Sequence, residues 1–325
     1  MKPRMVGMFF SAGIAAVLAG AVGAVPAAAA AGLHVVPSPV ITNSCLSGAA
    51  VISSADMWAV GDTGTATGCN PFQTVGGSSA SFQTLAEHFN GTSWSVVPAP
   101  ALNAALSGVA GATGNNVWAV GDLAQGSSFI PLIEHWDGTS WAVTPSPKLP
   151  QGSVLTGVTA PAANNAWAVG FAGGSANALV EHWDGTSWSI ISSPAFTSVS
   201  ISNGAISADS AADVWAMGFL ATSPTSDENV SLHWNGTSWT VVPSPNPNPQ
   251  GNNGLVAVAG VSASDVWAVG HQLLGPFTEH WNGKSWTIVT TPAGVRFFGA
   301  MAASSGGTVL AVGQGTNQSG IILSN

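Results

Sequence analysis

The stretch NVWAVG at Asn116–Gly121, followed by EHWDGTSW at Glu134–Trp141 and AVTPSP at Ala142–Pro147, decides the fold. Its first part recurs at Asp56–Gly61, Asn165–Gly170, Asp213–Gly218 and Asp265–Gly270, and fades into Thr308–Gly313. Its second part recurs at Glu87–Trp94, Glu181–Trp188, Leu232–Trp239 and Glu279–Trp286. A block of about fifty residues is thus written six times, and self-similarity at that period marks a toroidal or solenoid array.

Each copy reads as four short strands. In the second copy these are Leu106–Gly111, Val117–Gly121, Pro131–Trp136 and Trp141–Thr144, rich in Val, Ile, Trp and Ala and punctuated by Gly, Pro, Asn and Ser. Asp-Gly or Asn-Gly joins the third strand to the fourth and supplies the positive φ of a tight hairpin. The proline after the fourth strand ends it, because proline cannot donate to a ladder. Both faces of segments such as VWAVG are apolar, so each sheet is covered on both sides. Four-stranded antiparallel sheets packed face to face around an axis meet that need, and the expected fold is an all-β, six-bladed β-propeller. A parallel β-helix is the alternative architecture, and five blades the alternative count. The last copy stops after a third strand at Gly320–Asn325, while Leu33–Pro39 reads LHVVPSP, the strand it lacks. The N-terminal strand is therefore expected to complete the last blade and remove its exposed edge.

The ends and the charge bound the function. Lys2 and Arg4 precede an apolar run from Met5 to Val25 and an alanine string at Ala27–Ala31. This is the pattern of a secretory signal peptide over residues 1–31, with a single propeller domain over 32–325. The chain is expected to be secreted, monomeric and off the membrane after cleavage. Three basic residues, Lys148, Lys284 and Arg296, then face fourteen acidic ones. A surface of that sign repels phosphate backbones, which excludes nucleic acid and anionic membrane as partners. Cys45 and Cys69 both fall in the first copy, and in an exported chain the expectation is a disulfide. Two cysteines without matching histidine spacing make an incomplete metal set, and no metal or cofactor is expected.

With both motifs in view, the chain resembles secreted bacterial β-propeller repeat proteins whose copies carry DVWAVG and EHWNGTSW, distant in style from WD40, kelch and Asp-box propellers. It lacks the Gly-His and Trp-Asp pairing of WD40 repeats and the double glycine of kelch. Its Asp-Gly-Thr-Ser-Trp turn is one residue shorter than an Asp-box, so no sialidase residue carries over. What the resemblance implies is the fold, since function lives in sites grafted onto folds.

All fourteen tryptophans sit at three positions of the repeat. Residues locked to a structural repeat are expected to pack blade against blade. The Glu-His pairs at Glu87, Glu134, Glu181 and Glu279 point to opposite faces of a strand and cannot share a metal. They are expected to satisfy buried polar groups. The charged exceptions to the repeat are Asp62, Asp122, Asp209, Asp227, Glu228, His271 and Arg296, and of these Asp62, Asp122, His271 and Arg296 would ring one mouth of the channel beside variable connections such as Leu123–Ile130 and Leu220–Asn229. Function resides on variable loops held by a rigid scaffold. The expected function is a non-catalytic binding scaffold for an extracellular carbohydrate or protein. The alternatives are a polysaccharide lyase or glycoside hydrolase using the channel-mouth pair Asp62 and Asp122 with Arg296, and a purely structural surface module. The loop aromatics Phe129, Phe171 and Phe219 are the candidates for stacking on a sugar.

Overall fold

The computed structural model describes residues 37–64, 82–173, 178–192, 199–223, 226–249, 251–272, 275–303, 307–316 and 320–324. Blade one comprises β1 (Ser44–Ser53), β2 (Asp56–Thr63), β3 (Gln83–Phe89) and β4 (Trp94–Val97). Blade two comprises β5 (Ala104–Thr113), β6 (Asn116–Gln125), β7 (Ser128–Trp136) and β8 (Trp141–Val143). In blade three these are β9 (Val154–Ala162), β10 (Asn165–Phe171), β11 (Ala178–Trp183) and β12 (Trp188–Ile190). Blade four holds β13 (Val199–Ser210), β14 (Asp213–Ser223), β15 (Ser226–Trp234) and β16 (Trp239–Val242). Blade five holds β17 (Gly254–Ser262), β18 (Asp265–Gln272), β19 (Gly275–Trp281) and β20 (Trp286–Val289). Blade six holds β21 (Val295–Ala303), β22 (Val309–Gly315) and β23 (Gly320–Ser324).

Every sheet is an antiparallel meander in chain order, and the six sheets form a β-propeller. The first strands line up in sequence: β1 packs on β5, β5 on β9, β9 on β13, β13 on β17 and β17 on β21. The expected six-bladed architecture is the one observed. Among the described residues blade six has three strands. The segment expected to complete it centres on residues 33–36, which lie outside the described residues, as do the expected signal peptide and Cys69.

The register explains the fixed glycine that closes the second-strand motif. Leu46 pairs with Gly61 while Gly48 pairs with Val60, so Ser47 bulges out of the first strand. The bulge drives a backbone carbonyl against the glycine. A Cβ on Gly61 would fall on the Cys45 carbonyl oxygen, and one on Gly121 on that of Ala105. Only a residue without a side chain fits.

The core lies between blades. Trp58 of blade one enters a cluster with Leu106, Val117, Leu132 and Trp141 of blade two. Trp118 packs likewise with Leu155, Leu179 and Trp188, and Trp167 with Val214, Leu232 and Trp239. Each second-strand indole belongs to the core of the next blade, as expected from repeat-locked tryptophans. Trp267 stays half-buried, because the sixth copy supplies no tryptophans to cover it.

One expectation needs correction. Leu123–Ile130 and the described residues of the stretch from Leu220 to Asn229 are not open loops. The paired strands run through them, with Gln125 opposite Ser128 and Ser223 opposite Ser226.

Candidate functional site

The acids and histidines of the repeat are engaged in structure. His88, His233 and His280 place Nε2 at 2.9 Å from Oδ1 of Asp56, Asp213 and Asp265. In blades two and three Asn116 and Asn165 take the acid's place, with Nδ2 at 3.1 and 3.0 Å from the histidine Nε2. Each of these imidazoles also lies on the second-strand indole of its blade, at 4.0 Å between centroids for Trp167 and His182. Thus the first residue of DVWAVG exists to hold the histidine of EHW. The Asn-Gly-Thr-Ser turn is fixed the same way: Asn90 Oδ1 accepts the N–H groups of Thr92 and Ser93, and Gly91 adopts φ 90°. A side chain at Gly91 would meet Ala55, so this turn and the first hairpin share one uniform rim.

The glutamates point toward the preceding blade. Ser146 Oγ, from the Pro-Ser-Pro exit of blade two, donates to Glu181 of blade three, 3.0 Å from Oε1. Ser244 Oγ of blade four donates to Glu279 Oε2 of blade five at 2.6 Å. Burial pushes both carboxyls up to about 7, against the pull of those serines. Glu134 has no such donor, because Ala99 stands where the serine would be. It is fully buried, neither oxygen has a hydrogen-bond partner among the described residues, and burial holds its pKa at about 7. Sequence reasoning saw the glutamates but missed this latch. The signal was present in the equal spacing of Ser146 to Glu181 and Ser244 to Glu279.

On the opposite rim three of the four named residues fall on one column of the repeat, and Arg296 lies on the first strand of blade six beside it. Asp62 pairs with Cys45, Asp122 with Ala105 and His271 with Gly254, each directly after the fixed glycine. In blades three, four and six the same position holds Phe171, Phe219 and Gln314. Arg296 Nη1 donates to Gln314 Oε1 at 3.1 Å, which ties the arginine to that column. The four residues are therefore distributed one to a blade around the ring.

Their environments differ. Asp62 is buried, its Oδ2 has no partner among the described residues, and the loss of water raises it to about 6. Asp122 is buried as well. His271 is exposed on one side, but its ring crowds Gly254, whose Cβ position lies 3.0 Å from Cε1. Lost hydration there lowers its pKa, and Asp227, on β15 of the neighbouring blade four, pulls the other way. Phe129, Phe171 and Phe219 are half-buried. Among the described residues no group of three or more His, Cys, Asp or Glu is placed to hold a metal ion.

No protein-family model and no curated protein matches the sequence. Solved structures do. The chain is similar to hydrazine synthase of Kuenenia stuttgartiensis, with TM-score 0.57, 10% identity, and 86% of this chain and 83% of that one covered. It is also similar to the six-bladed fucose-recognising lectin of Aleuria aurantia, with TM-score 0.49, 14% identity, and 89% and 93% covered. For YCF48 bound to D1 peptide the TM-score is 0.43 at 14% identity, with 86% and 93% covered. At such identities the likeness reaches the fold and stops there.

Proposed function

We propose that this chain is an exported, non-catalytic propeller that binds an extracellular carbohydrate or protein through the rim carrying Asp62, Asp122, His271 and Arg296. One observation carries the reading. The repeated tryptophans pack blade against blade, the histidines are held within their own blades and Glu181 and Glu279 are bonded to the preceding blade, while the column after the fixed glycine changes from blade to blade among Asp, Phe, His and Gln. A constant frame presenting one variable position per blade is how a binding surface is built on a rigid scaffold. A Cys45–Cys69 disulfide belongs to the same reading. The test is a glycan array and a polysaccharide and secretome pull-down on residues 32–325, repeated with Asp62→Ala and Arg296→Ala. Binding that weakens in the variants supports the rim, and identical profiles for all three proteins contradict it.

A second reading is favoured by Asp62 itself. A buried carboxyl near pKa 6 with an unpartnered oxygen is suited to general acid work on a glycosidic bond. Cleavage of a polysaccharide panel between pH 5 and 7, lost in Asp62→Asn, would establish it. Its absence in the wild-type chain would leave the binding scaffold.

A further inference from the structure

A cavity of about 370 Å³ opens on the outer flank between blades three and four, lined by Ile190, Ile191, Ser192, Trp234, Ser238 and Trp239, with Thr237 at its edge. The repeat explains why it is there. After the outermost strand, blades one, two and four carry Pro98, Pro145 and Pro243, whereas blade three carries Ser192. A hydroxymethyl group replaces a pyrrolidine ring at the point where the exit of blade three passes the tryptophan pair of blade four.

The lining is preorganised and uncharged. Trp234 Nε1 donates to the Ala211 carbonyl at 3.3 Å, and the indole rests on Trp167 with centroids 4.9 Å apart. Trp239 lies 6.1 Å from Trp234 between centroids, tilted by 46°. Thr237 and Ser238 are fixed through their backbone N–H groups, both bonded to Asn235 Oδ1 at 3.0 Å. Indole and isoleucine carbons together with the hydroxyl-bearing Ser192, Thr237 and Ser238 line it, a mixture that matches a ring with an apolar C–H face and a hydroxylated edge.

We infer that this interblade cavity is a binding site for one neutral pyranose residue, stacked on Trp234 and hydrogen-bonded through Ser192, Thr237 and Ser238. The site is separate from the rim proposed above and stands or falls without it. The test is saturation-transfer NMR and titration of residues 32–325 with a panel of neutral methyl hexopyranosides, using wild type, Ser192→Pro and Trp234→Phe. Ser192→Pro restores the residue that three other blades tolerate, so its melting temperature serves as the control for folding. The expected result is that at least one glycoside binds the wild type and binds Ser192→Pro about tenfold more weakly or not at all, with Trp234→Phe intermediate. Binding of no glycoside overturns the inference, and so does equal binding by wild type and a folded Ser192→Pro. Glycoside binding lost in Asp62→Ala or Arg296→Ala but kept in Ser192→Pro assigns the sugar to the rim and overturns it too.

Discussion

Ser146 Oγ of blade two donates to Glu181 Oε1 of blade three across 3.0 Å, and the same bond is absent one blade earlier, where Ala99 faces Glu134. Restoring the donor with Ala99→Ser should therefore stabilise the protein. A hydrogen bond to an otherwise unpartnered buried carboxyl is worth about 1 kcal/mol or more, or about 2 °C in a domain of this size. Thermal denaturation at pH 7.5 checks it, and Ser146→Ala should move the melting temperature the other way.

The buried glutamates also set a pH dependence. Glu134, Glu181 and Glu279 sit near 7 in the folded chain, against 4.5 ordinarily. Between those values the folded state holds protons that the unfolded state has released, so stability must fall as pH rises from about 4.5 to 7 and level off above. The melting temperature should be higher at pH 5 than at pH 8. Glu134→Gln removes one titrating group and should flatten that slope, a comparison calorimetry at several pH values makes directly.

The histidine clamp has a built-in control. Since Asn116 and Asn165 serve where other blades use aspartate, Asp213→Asn should cost little. Asp213→Ala leaves His233 without its 2.9 Å partner and should cost about 1–2 kcal/mol. Chemical denaturation of the two variants separates them.

Trp167 is fully buried between His182 of its own blade and Trp234 and Trp239 of the next. Trp167→Ala should destabilise by about 3–5 kcal/mol, while Trp267→Ala, at the half-covered seam with blade six, should cost less. Denaturant midpoints compare the two.

Much of this was readable in the residues. The repeat gave the blades, their strand order and the packing role of the tryptophans, because short strands apolar on both faces and ending in Asn-Gly and Pro leave few other arrangements. Asp62, Asp122 and His271 stood out as exceptions, yet their shared column emerged only from strand register, which the bulge at Ser47 and its counterparts shifts by one residue. The Ser–Glu latch and the cavity at Ser192 escaped for another reason. Each depends on which blade faces which, a contact between copies rather than within one.

We propose that Leu33–Pro39 pairs with β23 to complete blade six, and the account rests on it. Hydrogen exchange on residues 32–325 measures it at the amides of Gly320–Ser324. Slow exchange there, comparable to β15 beside its outermost neighbour β16, is the predicted result, with protection lost when Leu33–Pro39 is deleted. Rapid exchange of the outward-facing β23 amides in the undeleted chain, unchanged by the deletion, would contradict it.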